Sequence, residues 1–389
     1  MSDTSTAEQT PPAEQEPGPE PRDRGGLLAY LIAHQSGVVI VVALVIALVI
    51  GAGLIRYQGV SPVYAYETLV REALVVPGSF TRTLQKTAPL VLTGLAVVLP
   101  LRVGLFNIGG QGQLVTGALL GAWVAYVAGG LGFGGAVLGM VVGLLAGAAI
   151  GWLVGVLKAW RGVHEVISTI MLNYIVAGVA FWGVSGGPFQ GEASKTSGIP
   201  QSELIPESAQ LHSVLGIPIG FVVAFVLAVA CWWVLSRTTL GFRFNTVGAN
   251  RDAARYAGIP LNRIVVLSMV AGGGLAGLAG ALEAEGTLHR FEPAIGGSLG
   301  FDGITIALLA RANPLATIPA AFLVGMLRTG AAGLQFATQT SSLPSGITPE
   351  IVDLLLAIIL LMVSIPVLGK WLFRSRAAKV SVASTSWGS

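Results

Sequence analysis

The chain has 389 residues, of which 53% are hydrophobic and 11% charged, with a mean hydropathy of +0.76. A soluble domain carries about 25% charged residues, so this chain cannot cover a globular surface with polar groups, which excludes a soluble enzyme, a nucleic-acid binder and a disordered scaffold. The formal net charge is only +3, so the placement of charge matters more than its sum.

Residues 1–24 hold five prolines and six acids and almost no large apolar side chain. Such a segment cannot bury enough surface to offset ordering entropy, and it reads as a disordered tail, taken as residues 1–35 in domain terms. No basic start followed by an apolar run and a small-residue cleavage site marks a signal peptide, so the first apolar run, Gly37–Ile55, reads as an uncleaved anchor. A membrane-spanning helix needs about 20 apolar residues. Ten candidates follow in order, near 37–55, 87–105, 110–129, 133–157, 164–184, 214–236, 264–284, 301–312, 315–335 and 350–369. The eighth is short and stops at Asn313-Pro314, where a helix breaks, so it reads as a half-helix.

With the N-terminus inside, fifteen Lys and Arg fall on the inner side and six on the outer (Arg56, Arg71, Arg82, Lys86, Lys195 and Arg290). The positive-inside rule then predicts an even number of spans with both termini cytoplasmic. Four of the outer six lie in 56–86, where an interfacial amphipathic helix is expected. The predicted fold is all-α: a polytopic membrane protein of about ten transmembrane helices in two pseudo-repeated halves, five on either side of the outer loop 185–213. The transmembrane body runs over 36–372, and 373–389 is a cytoplasmic tail.

Phe106-Asn-Ile-Gly-Gly-Gln-Gly-Gln113 separates the second and third spans, and Gly296-Gly-Ser-Leu-Gly-Phe-Asp-Gly303 holds the matching place between the seventh and eighth. Irregular backbone at membrane depth is tolerated only where protein or a cavity shields it. Glycine-interrupted segments at corresponding positions of two halves point to a transporter's central pathway. Plain glycine-rich turns are the simpler alternative. Six glycines at intervals of four, Gly135 to Gly155, predict close helix packing in the fourth span. In the fifth span Glu165, Thr169 and Asn173 share one face, expected to point to the bundle interior or simply to bond a neighbouring helix.

Gly191-Glu-Ala-Ser-Lys195-Thr196 is similar to the end of a phosphate-binding loop but lacks the glycine before the lysine. Gly272-Gly-Gly274-Leu-Ala-Gly277 matches a dinucleotide fingerprint with no preceding strand, inside a span. Neither is read as a nucleotide site. In the inner loop 237–263, Asn250 to Gly258 reads as a complete two-turn helix. Asn250 is its N-cap, Asp252 complements the helix start, Gly258 is the left-handed stop, and Pro260 ends the winding. Such a capped basic helix suits a groove in a soluble partner or an anionic lipid surface. Arg328, inside the ninth span, needs a counter-charge, and Asp302 or Glu283 is the expected one. Such a pair either locks helices or contacts ligand. Cys231, His212 and His289 show no metal spacing.

These residues resemble a family. The chain is similar to membrane permease subunits of bacterial ABC importers in the branched-chain amino acid, ribose and nucleoside permease superfamily, nearest the nucleoside (simple-sugar) type. The likeness rests on Gly104-Leu-Phe-Asn-Ile-Gly-Gly-Gln-Gly-Gln113, His164-Glu-Val-Ile-Ser-Thr-Ile-Met-Leu-Asn-Tyr174, Val247-Gly-Ala-Asn-Arg-Asp-Ala-Ala-Arg-Tyr-Ala-Gly-Ile259, and Gly300 to Pro314. It departs from the family pattern at Gln111, where Glu is common, and at His164, where Asn is common.

The resemblance implies a bacterial plasma-membrane subunit that pairs with a second homologous permease, an ABC ATPase and an extracytoplasmic substrate-binding lipoprotein, within membrane lipid and without nucleic acid. It implies no catalytic residue and no cofactor in this chain, with ATP and Mg on the ATPase partner. Asn250, Arg251, Asp252, Ala253, Ala254, Arg255, Tyr256, Ala257 and Gly258 then match the ATPase-coupling helix. The expected function is passage of a small polar solute, a nucleoside, along a path lined by Phe106, Asn107, Gln111, Gln113, Asn173, Tyr174 and Asp302. The alternatives are a sugar or branched-chain amino acid in the same role, or an ion-coupled secondary transporter. The latter needs carboxylates near the midplane, whereas the acids here cluster near the span boundaries. A membrane-embedded enzyme would need a nucleophile and base in the spans.

Overall fold

The computed structural model describes residues 35–295, 297–339 and 346–364. The two tails and the end of the tenth predicted span lie outside them, as does Gly296.

Helix α1 is Gln35–Tyr57 and α2 is Pro62–Leu74. Pro62 supplies the fixed φ that opens α2. From Leu44 onward the two helices make a pair bent by 112°, and α2 is the amphipathic helix expected within 56–86. Helix α3, Ser79–Leu101, is followed by an irregular stretch to Gly109 and by α4, Gly110–Val127. Then come α5, Phe133–Arg161, and α6, Glu165–Ser185. A connection carries α7, Glu192–Ser197, and a hairpin of β1, Ser213–Val214, with β2, Ile217–Pro218. The second half holds α8, Ile219–Arg237; α9, Thr239–Ala249; α10, Arg251–Tyr256; and α11, Leu261–Glu283. Helix α11 runs on through a π-helical turn, Ala284–Leu288. The last elements are α12, Leu299–Leu309; α13, Thr317–Ala337; and α14, Glu350–Ser364.

A helix thus stands at each of the ten predicted places. Among the described residues, six are long and apolar enough to cross a membrane: α3, α5, α6, α8, α11 with its π turn, and α13. The bent α1–α2 pair makes a seventh. Helix α4 falls short in apolarity because Gln111, Gln113 and four glycines interrupt it. Helix α12, eleven residues or about 16 Å, is the short segment expected before Asn313-Pro314.

Three boundaries differ from expectation. Helix α3 begins about two turns early, because Thr83 and Thr87 bond their hydroxyls to backbone oxygens (Ala73 O and Thr83 O, both 2.7 Å) and so sit buried with their polar groups satisfied. Helix α8 begins at Ile219 rather than near 214, because Leu215 and Gly216 turn the β1–β2 hairpin at positive φ. The segment 239–249, read as loop, is α9; the hydroxyl of Thr238 caps its start by accepting from the Gly241 N–H at 3.3 Å.

Helices α3–α6 and α11–α14 repeat one arrangement. Helix α3 packs on α11, α12 and α13; in mirror fashion α11 packs on α3, α4 and α5. Helix α4 also meets α6 as α12 meets α14. The leading helix of each repeat is therefore lodged in the other repeat, and the core forms where α3 and α11 cross. The glycine stripe explains the closeness. A Cβ at Gly147 or Gly151 would strike the α11 backbone at Gly273 or Met269, and one at Gly277 would strike Gly143 on α5. The dinucleotide-like glycines at 272–277 are thus packing residues inside a helix. Only small side chains let backbones come this near.

Candidate substrate path and coupling helix

The irregular stretch after α3 follows from proline chemistry. Pro100 has no N–H to offer Ala96 O, its partner one turn back. The side chain of Asn107 takes over: its Nδ2 donates to Ala96 O at 3.2 Å and to Gln113 Oε1 at 2.9 Å. Its Oδ1 accepts from the Gly109 N–H at 3.1 Å and from Gln113 Nε2 at 3.2 Å. Asn107 and Gln113 are both fully buried, so each satisfies the other, as buried amides must. They pin the turn that starts α4.

The polar face of α6 turns onto that same stretch. Asn173 Nδ2 donates to Ile108 O at 3.1 Å and its Oδ1 accepts from the Gly112 N–H at 2.8 Å. Thr169 is buried where a Cβ on Gly109 would meet it. Glu165 pairs with Lys158 on α5 at 2.8 Å.

The two glycine-rich segments meet directly. The Gly300 N–H donates to Gln111 Oε1 at 2.9 Å, and a Cβ on Gly110 would lie 3.2 Å from Gly300 O. The starts of α4 and of the short helix α12, one from each repeat, therefore touch. Phe106 is half-buried beside them. Tyr174 stands apart, 78% exposed on the outer face of α6, at mid-helix.

Arg328 on α13 does find Asp302 on α12, at 2.8 Å. It also reaches Ser298 Oγ at 2.8 Å and Asp353 on α14 at 3.2 Å. One guanidinium thus ties three segments around α12. Glu283, the other expected counter-charge, instead accepts from Thr287 Oγ1 at 3.3 Å.

Helix α10 matches the predicted capped helix closely. Asn250 Oδ1 accepts from the N–H groups of Asp252 at 2.9 Å and Ala253 at 3.0 Å. At the other end Gly258 has φ +74°, and the N–H groups of Gly258 and Ile259 return to Arg255 O and Ala254 O, both at 3.0 Å. This is the paired C-terminal stop that glycine permits. Arg251, Asp252, Arg255 and Tyr256 are exposed, whereas Ala254 is fully buried against the protein's own body.

Sequence reasoning missed what lies between α10 and the central segments. A Cβ on Gly248 of α9 would strike Arg102 O, and Arg102 Nε donates to Ala312 O, just past α12, at 2.8 Å. Helix α9, which carries α10, is therefore in contact with the end of α3 and, through Arg102, with the end of α12. A glycine on a helix with an arginine far away in sequence gave no local signal of this.

Comparison with known proteins agrees with the geometry. The family described as branched-chain amino acid transport system / permease component matches residues 79–364. The nucleoside ABC transporter permease protein NupB of Lactococcus lactis is 33% identical, over 89% of this chain and 96% of its own length. The guanosine ABC transporter permease protein NupP of Bacillus subtilis is 34% identical, over 83% and 91%. The glucose ABC transporter permease protein TsgB13 of Haloferax volcanii is 32% identical, over 85% and 87%. No solved structure matches the chain. The apolar helices, the paired glycine-rich breaks and these matches together place the chain in the branched-chain amino acid transport system / permease component family, as a multi-pass membrane permease of ABC importers.

Proposed function

We propose that this permease carries a nucleoside, and that ATP hydrolysis on a separate ABC ATPase drives it through α10. The reading is carried by similarity to two nucleoside-type permeases across more than four fifths of the chain. The exposed ridge of Arg251, Asp252, Arg255 and Tyr256 supports α10 as the docking element, on the cytoplasmic side together with both termini. The contact from Gly248 through Arg102 to Ala312 supports transmission of its movement to the ends of α3 and α12.

The solute passes between this chain and a second homologous permease, delivered by an extracytoplasmic binding lipoprotein. Gln111, Asn173 and Asp302 supply polar groups near the meeting point of α4 and α12, and Phe106 and Tyr174 supply aromatic surface for a base. A tyrosine 78% exposed at mid-span would strand its hydroxyl in lipid, which favours a polar path or a partner there. Asn107 and Gln113 hold the lining from behind. A sugar is the second reading, favoured by the similarity to a glucose permease and by neutral Gln111.

The test is uptake of labelled guanosine and labelled glucose into proteoliposomes holding this chain, its permease partner, ATPase and binding protein. Guanosine uptake that requires ATP and resists excess glucose supports the reading. Glucose uptake with no guanosine uptake overturns it in favour of the sugar.

A further inference from the structure

Helix α8 runs into the membrane straight out of the β1–β2 hairpin. Its 19 residues rise about 28 Å, against a hydrocarbon core of about 30 Å, and the other described residues leave most of its span exposed. Pro218, the last residue of β2, is also the cap of α8. The hairpin therefore sits at a face of the bilayer, at the end of α8 remote from α9 and α10. Its height is set against α3. A Cβ on Gly220 would lie 3.7 Å from the Ala88 side chain, whereas the hydroxyl of Thr81, two turns nearer the start of α3, donates to Gly216 O at 2.8 Å. The turn lies two residues beyond Pro218, about 7 Å along the strand. The headgroup layer on each side of the core is about 5–7 Å thick.

The turn is built against backbone preference. Leu215 and Gly216 hold its two central positions at φ +52° and +79°. Two-residue turns of this class favour Asn, Asp and Gly, and a bulky side chain there is strained. Leu215 is nonetheless 98% exposed, so no contact among the described residues offsets the strain. Val214 and Ile217 face each other across the ladder and are exposed as well. Pro218, on the other face of the ribbon, is buried. Residues 213–218 carry no charge. The tip and the outward face of the hairpin are thus apolar, neutral and uncovered at headgroup depth.

We propose that this hairpin is a lipid anchor. Leu215, flanked by Val214 and Ile217, seats in the boundary between headgroups and acyl chains of the leaflet remote from α10. Lipid is the occupant because the patch continues the exposed surface of α8, which is itself in the bilayer. Through the Thr81 bond the anchor also holds the start of α3 at the membrane surface. This holds for any solute and rests only on α8 crossing the membrane, so its failure leaves the transport reading untouched.

Depth-dependent quenching on the full chain in liposomes tests the anchor. Cys231→Ala removes the chain's one thiol, and Leu215→Cys then carries a nitrobenzoxadiazole fluorophore. The label should be quenched by phosphatidylcholine brominated near the headgroup end of its chains. It should lose most of the iodide quenching shown by the same label at Lys195→Cys, in the exposed charged pair of α7. A label at Val226→Cys, exposed near the middle of α8, should respond most to bromine deep in the chains. Ile217→Cys, labelled likewise, is a second reporter should the turn distort with the first. Iodide quenching at 215 and 217 equal to that at 195, with no response to brominated lipid, overturns the proposal. So does lipid quenching that vanishes once the second permease, ATPase and binding protein are added, because a protein then covers the face.

Discussion

Asn107→Ala is the sharpest test of the central segment. The side chain makes four hydrogen bonds, all buried. Truncation leaves three places short of partners: Ala96 O, already deprived by Pro100, the Gly109 N–H, and the amide of Gln113. Each buried group left unmade costs about 1–3 kcal/mol. With partial relaxation the sum is about 4 kcal/mol, large against the total stability of a folded protein. Thermal unfolding of nanodisc-held protein should fall by about 5–10 °C. A double-mutant cycle with Gln113→Leu should return a coupling of about 1 kcal/mol or more, because Leu at 113 removes a stranded partner. Additive effects of the two substitutions, or an unfolding temperature for Asn107→Ala within about 1 °C of the parent (the scatter of surface changes), would refute the claim that this amide pair fixes the turn.

Arg328→Ala should lower stability by about 2 kcal/mol by leaving the half-buried Asp302 without its cation, and Asp302→Asn added to it should recover part of that loss; the same unfolding assay decides. Gly277→Ala places a methyl on the α5 backbone and should destabilise strongly, whereas Gly178→Ala, with nothing within 4 Å, should stabilise by about 0.5–1 kcal/mol. Asn250→Ala should cost about 1 kcal/mol locally, seen as faster amide exchange at Asp252 and Ala253. On α10, Arg255→Glu or Tyr256→Ala should leave unfolding unchanged and abolish solute-stimulated ATP hydrolysis. Ala254→Asp, by contrast, buries a charge and should damage the fold itself, so it does not test docking.

Local chemistry was the readable part of the sequence. Asn250 and Gly258 marked both ends of α10, because caps are set by the residues that make them. Asn313-Pro314 marked the limit of α12 for the same reason. The glycine stripe from 135 to 155 announced a close neighbour but not which one, and α11 emerged only from the interleaving of the repeats. Arg328 demanded an acid, yet the choice of Asp302 over Glu283 depended on the placement of α12 beside α13. Asn107 and Gln113 were singled out as lining groups; their mutual bonding, and the role of Pro100 in requiring it, needed the turn in three dimensions. Tyr174 shared a motif with Asn173, but adjacent helical positions face about 100° apart, so one turned inward and the other out.

The central claim is that this chain is a conduit without a motor, moved through the exposed ridge of α10. The most direct measurement is solute accumulation in proteoliposomes prepared in two forms, the complete complex with ATP and this chain alone with an imposed proton or sodium gradient. The account predicts ATP-dependent accumulation in the first, lost on Arg255→Glu, and none in the second. Uphill accumulation by the chain alone on an ion gradient would contradict it.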